Sequence, residues 1–212
     1  MSIAHAIEEV RGLDTMANPL SAAVRQSLDG VPQLKSFLKG VWLGHPLHPA
    51  ITDIPIGAWT TAVVLDATVS DHMDDGYARS AETAITVGLL GAIGSAITGL
   101  TDFSDIRGKQ RRLGLVHGLI NLTATGLFAA SLASRRSGNR SAGVKYSTVG
   151  YMVAMAGAYL GGSLVFREEV GVDAAGPSVH HIHARPDSDA EIVAPLPPPP
   201  FHLPQTEGGV ER

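Results

Sequence analysis

Two histidines, His45 and His48, stand three residues apart in the segment GHPLHP, where each is followed by a proline. The prolines remove backbone donors and restrict the chain, so the segment is predicted to be a fixed turn. Thr52 or Asp53 is predicted to cap the helix that follows, with Pro55 in its first turn. Because imidazoles and carboxylates are ligands for zinc, copper and iron, His45, His48 and Asp53 are candidate ligands.

A third histidine lies inside a long apolar stretch. His117 is followed at spacings of four by Asn121 and Thr125, so the three side chains share one face of a helix. That face is expected to point into a helix bundle, because unpaired polar groups are costly in lipid. Asp102 ends the preceding apolar stretch, and Asp66 interrupts an earlier one. Asp66 admits two interpretations, a proton-linked role or an interhelical hydrogen bond.

Long uncharged runs indicate which elements position these residues. Residues 83–101, 113–134 and 146–166 contain no Asp, Glu, Lys or Arg, and each run can cross a hydrocarbon core of about 30 Å. A fourth run, residues 54–70, is interrupted only by Asp66. The sequence therefore predicts an all-α membrane protein with a four-helix up-and-down bundle in the lipid bilayer. A soluble helical bundle is the alternative.

In such a bundle, the start of the first span, the end of the second and the start of the third lie at the same face. The side chains expected to converge there are those of His45, His48, Asp53, Asp102 and His117. All five are candidate metal ligands, and the three histidines are candidate haem ligands, because paired imidazoles can ligate haem between helices. The alternative is structural: the histidines cap helix ends, and the carboxylates bond to loop backbone.

The flanks differ from the membrane domain, which is placed at residues 44–170. Residues 1–43 are predicted to be a polar segment with an amphipathic helix, leading to Trp42 at the lipid headgroups. The apolar face of that helix is formed by Val31, Leu34, Leu38 and Val41. A helix packed on a soluble partner is the alternative. Residues 171–212, rich in Gly, Ala, Asp and Pro, are predicted to be a disordered tail, and no internal repeat is evident.

Charge and composition narrow the function classes. The loop at residues 102–112 is rich in Arg and Lys, so the positive-inside bias places it in the cytoplasm together with both termini, although the third loop is also basic. The absence of Cys excludes disulfides, thiolate zinc sites and a complete iron–sulfur cluster within this chain. A net charge of −4 without a basic block gives no support for nucleic-acid binding. The sequence contains no nucleophile elbow, Walker loop, dinucleotide fingerprint or zincin helix. Whether the protein is an enzyme is left open.

At these positions the sequence resembles a family of bacterial membrane proteins named domain of unknown function 2231. The similar stretches lie within residues 35–172 and include WLGHPLHP, TDIPIGAW, GLTDF, GLVH with Asn121, and LGG. The resemblance implies a four-span domain in the bacterial inner membrane, often fused or adjacent to a Rieske-type iron–sulfur domain, with unassigned biochemistry. Where the family pattern has a His after the paired glycines, this chain has Ser163.

We therefore expect a haem- or metal-binding redox module that works with a separate Rieske-type electron-transfer partner. Two other classes remain open. One is a cofactor-free membrane scaffold or assembly protein, and the other is a small proton- or ion-coupled transporter. A homo-oligomer is compatible with each of them.

Overall fold

The computed structural model describes residues 2–68, 75–168 and 170, and every regular element in this part of the chain is a helix. The helices are α1 Ile3–Glu8, α2 Asp14–Asp29, α3 Pro32–Lys39, α4 Leu47–Thr68, α5 Asp75–Phe103, α6 Gly108–Arg136 and α7 Arg140–Phe166. Short 3-10 helices lie at Arg11–Leu13 and Val41–Leu43. The predicted disordered tail, residues 171–212, lies outside the described residues.

The first of two antiparallel hairpins is formed by α4 and α5. His48, near the start of α4, packs on Gly99 near the end of α5, whereas Trp59 packs on Gly88 further back along α5. The two helices therefore run in opposite directions. A side chain at either glycine would overlap the ring packed on it, so glycine is what allows the close approach.

The second hairpin, formed by α6 and α7, is built in the same way. His117 packs on Gly161, and Phe128 packs on Gly150. The hairpins meet through α5 with α6 and through α4 with α7. Helices α4 and α6 consequently lie diagonally across the bundle, and their side chains meet in its centre.

An apolar core fills the middle of the bundle. The rings of Trp59 and Phe128 stack with centroids 4.1 Å apart and planes 9° apart. The other buried members of the cluster are Ala62, Ile85, Ala124, Leu132 and Ala154. This core separates one polar end, which holds His48 and His117, from the other, which holds Asp66.

Within the part of the chain that the structure describes, three helices are long and apolar enough to cross a membrane: α5 from Gly76, α6 and α7. Their outer faces expose large apolar side chains, as a surface in contact with lipid does. Examples are Val87, Leu90, Ile93, Ile97, Leu119, Leu122, Val149 and Met152. All three helices extend beyond the predicted uncharged runs, because the charged residues that end each run continue the helix.

The start of α4 differs from the prediction. The helix begins at Leu47 rather than at residue 54, so the prediction of a turn through Pro49 was wrong. Pro49 is tolerated because it lies in the first helical turn, where its missing N–H has no helical partner to lose. Thr52 does not cap a helix, since its hydroxyl donates to the Pro49 carbonyl at 2.6 Å, and Pro55 lies inside the helix.

The N-terminal segment, residues 2–43, packs on the bundle end that holds the histidines, through contacts of α1, α2 and α3 with α5 and α6. Glu9 binds Lys109 at 2.5 Å, and Asp14 binds Arg112 at 2.8 Å. The hydrogen bond from Arg112 lowers the pKa of Asp14 below its ordinary value, so the ion pair is charged at neutral pH. The segment is therefore a cap held by these ion pairs and by the burial of Ala4 and Ala17 in apolar clusters of the bundle.

Helix α3 has the predicted amphipathic character but is shorter than the pattern suggested, because Gly40 ends it with a φ of 82°. Lys35 and Lys39 bind Asp105 at 2.7 and 2.6 Å. Burial alone would raise the pKa of Asp105, but these hydrogen bonds bring it below its ordinary value. The opposite face carries the exposed apolar residues Val31, Leu34, Phe37, Val41 and Trp42.

Candidate functional site

His48 projects from the first turn of α4 onto α5. Its Nδ1 lies 2.9 Å from the carbonyl oxygen of Ser95, and a Cβ on Gly99 would come within 2.8 Å of its Cε1. A carbonyl oxygen can only accept, so Nδ1 carries the proton and Nε2 carries a lone pair in the neutral ring. The facing helix thereby fixes both the position and the tautomer of the imidazole.

His117 is held by α7 in the same manner. Its Nδ1 lies 3.0 Å from the carbonyl oxygen of Gly157, and a Cβ on Gly161 would come within 2.9 Å of its Cε1. The amide nitrogen of Asn121, one turn further along α6, lies 3.1 Å from the Nε2 of His117. It also lies 3.3 Å from Nδ1, so the amide sits over the ring rather than on the lone pair of Nε2, and it donates to the main-chain carbonyl of His117 at 3.0 Å.

The two imidazoles are neighbours at the centre of the bundle. Their ring centroids are 6.3 Å apart, and the ring planes are nearly perpendicular at 88°. Both rings are half-buried and both are attached to rigid helices by a main-chain hydrogen bond. Of the five residues expected to converge, the structure places His48 and His117 side by side.

The other three predicted ligands lie elsewhere. His45 is exposed in the turn before α4, and Asp53 is exposed on α4 itself. Asp102 is half-buried at the end of α5, and the charged groups that act on its carboxyl are Lys39 and Asp105. Among residues 2–68, 75–168 and 170, no group of three or more His, Asp or Glu is arranged to hold a metal ion. A centre bound here would therefore take two ligands from the described residues.

Residues 44–174 match the family described as predicted membrane protein, DUF2231. The chain belongs to this family. The match confirms the resemblance and begins at the GHPLHP segment, so it includes both histidines and all four long helices of this DUF2231 protein. No curated protein and no solved structure is significantly similar to the chain. The family description and the three apolar helices together make the chain a multi-pass membrane protein.

Ser163, which stands where the resemblance implies a histidine, is buried in α7 two residues after Gly161. Its hydroxyl donates to the Tyr159 carbonyl within its own helix at 3.1 Å. The hydroxyl of Ser163 thus has its hydrogen-bond partner within its own helix.

At the opposite end of this DUF2231 protein, Asp66 forms an ion pair with Arg135, and their side chains are only 4% and 0% exposed. Arg140 is a second cation on the same carboxylate at 3.3 Å, and Ser147 donates to it at 3.3 Å. Neither interpretation made from the sequence included an ion pair, because Arg135 was counted with the loop beyond an uncharged run. The position of Arg135 in the sequence could have indicated the ion pair, because Arg135 directly follows that run and continues its helix.

Proposed function

We propose that this DUF2231 protein crosses the bacterial inner membrane four times, with α4 as the additional crossing. Helix α4 pairs with α5, and at 1.5 Å per residue its 22 residues extend about 33 Å. Its buried carboxylate, Asp66, is neutralised by Arg135, which lowers the cost of carrying it into lipid.

The same ion pair bears on orientation. Arg135 is fully buried inside the bundle, so it does not count among the positive charges of the third loop. The remaining balance favours a cytoplasmic location for the α5–α6 loop. Ser2 and Arg167 are joined by a hydrogen bond of 3.1 Å, so both ends of the described chain share a side, which we assign to the cytoplasm.

We further propose that His48 and His117 together bind haem or a single transition-metal ion. The observation that supports this most is the shared arrangement of the two rings. Each donates Nδ1–H to a main-chain carbonyl and keeps Nε2 as the donor atom, which is how metal-ligating histidines are commonly held. If two imidazoles bind one metal ion from opposite sides, each nitrogen about 2 Å from it, their ring centres are separated by roughly 6 Å, comparable to the 6.3 Å between these rings.

A bound centre at this position would lie near one face of the membrane, where a soluble or membrane-anchored protein can reach it. We therefore propose an electron-transfer role with a separate partner of the Rieske type. The support is the chemistry of the site together with the family neighbourhood implied by the sequence resemblance.

The competing class is a scaffold without a cofactor. In that case each histidine serves only to join the two helices of its own hairpin, through its packing on Gly99 or Gly161. A transporter has less support, because the stacked rings of Trp59 and Phe128 separate the two polar ends of the described bundle.

A histidine-replacement series distinguishes a binding site from a scaffold. Wild type, His48→Ala, His117→Ala and the double variant are purified in detergent from cells supplied with iron and haem precursor. His45→Ala is the matched control, because His45 is exposed and lies outside the pair. We expect metal or haem content to fall in each single variant and little further in the double, since loss of one required ligand already compromises the site.

The scaffold class predicts a different result. Cofactor content would be nil throughout, and each replacement would only lower the melting temperature. That result would overturn the proposed binding site.

A further inference from the structure

The two hairpins can be aligned with each other residue by residue, although few of the aligned residues are identical. Residues 47–68 correspond to residues 116–137, and residues 76–103 correspond to residues 138–165. The alignment pairs His48 with His117 and brings the TVG of α5 onto the TVG of α7. Because the identical residues are few and scattered, the repeat has to be established from the contacts that the aligned residues make.

Aligned residues make the same contacts. Ser95 and Gly99 of α5 align with Gly157 and Gly161 of α7, and these are the carbonyl and glycine that hold the two histidines. Burial follows the same alignment along both helices. Buried aligned pairs are Ala81 with Gly143, Ile85 with Ser147, Gly88 with Gly150, Thr98 with Leu160, and Thr101 with Ser163.

Three side-chain contacts between α4 and α6 join each residue to its own aligned counterpart. They are His48 with His117, Trp59 with Phe128, and Asp66 with Arg135. Contacts between equivalent residues are what a two-fold axis requires of the side chains that lie on it. Because α4 and α6 run in the same direction, this pseudo-two-fold axis runs along the bundle.

The three axial contacts differ in whether they would also allow two copies of the same hairpin to pair. Imidazole would still face imidazole, and an aromatic ring would still face an aromatic ring, if two like hairpins paired. At the third position, two like hairpins would bring Asp66 against Asp66 or Arg135 against Arg135. Buried like charges are strongly unfavourable, whereas the observed pair is neutralised.

We propose that the bundle is a duplicated hairpin in which the Asp66–Arg135 ion pair makes unlike hairpins pair with each other. The pair thus positions His48 opposite His117 within one chain and disfavours association of like hairpins from different chains. This proposal does not rest on the histidines binding a cofactor.

Charge reversal in the full chain tests the proposal. The reference carries Trp42→Phe, which leaves Trp59 on the axis as its single tryptophan, and Arg140→Gln, which removes the second cation on Asp66. We expect Asp66→Arg and Arg135→Asp each to reduce the yield of a single folded species, measured by size-exclusion chromatography in detergent, by about tenfold or more. The double reversal should recover most of that yield together with the reference emission of Trp59.

Charge reversals could prevent insertion of the protein into the membrane, so a variant without either charge provides a second test. Asp66→Leu with Arg135→Met removes both charges, which a packed interior tolerates better than removal of one. We expect it to fold, with Trp59 emission retained, but to divide between monomer and larger species. A double reversal that yields no more than the single variants, or a neutral variant that remains one species, would overturn the proposal.

Discussion

Each histidine of the central pair occupies space that the facing helix leaves open by carrying a glycine. The contacts are close: an added Cβ on Gly161 would lie 2.9 Å from Cε1 of His117. The neighbouring glycine, Gly162, has open space, with only Phe166 near at 3.9 Å. Adding a methyl group is therefore expected to cause a clash at Gly161 but not at Gly162, although both positions are glycines of α7.

We predict that Gly161→Ala destabilises the protein by about 1–3 kcal/mol, because the imidazole or the helix must move, and that it lowers any cofactor content. Gly162→Ala is the matched control and is expected to be neutral or to stabilise by up to about 1 kcal/mol, since alanine favours helix. Melting temperatures in detergent compare the two. A Gly161→Ala protein as stable as the control would show that the close packing of His117 has no energetic consequence.

At the residue scale, the sequence predicted that His48 and His117 lie at one end of the bundle, because the first and third spans of an up-and-down bundle start at the same face. It did not predict their main-chain acceptors on Ser95 and Gly157, since a carbonyl leaves no signature in residue type. The grouping of His45 and Asp53 with the pair depended on a turn that is in fact the start of α4, and both side chains are exposed.

At the scale of the elements, α3 and the 3-10 helix that follows it expose an apolar face that the bundle does not cover. Trp42 is 61% exposed, stacks on Phe37 with centroids 5.6 Å apart, and donates its indole N–H to the Phe37 carbonyl at 3.1 Å. An aromatic pair with its polar group satisfied suits the boundary between headgroups and acyl chains. Lys35 and Lys39 hold the other face on Asp105.

We predict that Trp42 contacts lipid. In a Trp59→Phe chain reconstituted in vesicles, lipids brominated near the headgroup end of the acyl chain should quench its fluorescence more than aqueous iodide does. The Trp42→Phe chain is the control, because Trp59 is buried in the bundle at 4% exposure. Strong quenching of Trp42 by iodide alone would favour the alternative, a face for a soluble partner.

Helices α5, α6 and α7 were predictable because each contains an uninterrupted apolar run. The predicted ranges were shorter than the helices because charged residues continue each helix into water. Helices α1 and α2 carry no comparable signal. They are held by tertiary ion pairs such as that of Asp14 with Arg112, whose partners lie far apart in sequence. Local periodicity cannot reveal such contacts.

For the whole molecule, the two hairpins place the start of α4, the α5–α6 loop and the end of α7 at one end of the bundle. We predict that reporters fused after residues 112 and 167 give a cytoplasmic signal, and that one inserted at residue 74 gives the opposite signal. A tag at the N-terminus should agree with residue 112. Agreement of the N-terminal tag with residue 74 would mean that α4 does not cross.

The duplicated arrangement could not be predicted from the sequence, because the aligned residues share burial and contact rather than identity. Trp59 and Phe128 differ in type yet stack on the same axis, and Asp66 and Arg135 have opposite charges. The three apolar membrane helices were recoverable from hydropathy, whereas the symmetry depends on which side chains meet.

The central claim is that His48 and His117 form one binding site, and the cofactor content of the wild-type protein tests it most directly. Full-length protein is purified from membranes of cells supplied with iron and haem precursor, and its optical spectrum and metal content are measured. The account predicts a metal centre in stoichiometric amount, lost when His48 and His117 are replaced by alanine. A colourless, metal-free protein that is folded and keeps Trp59 stacked in the bundle would contradict it.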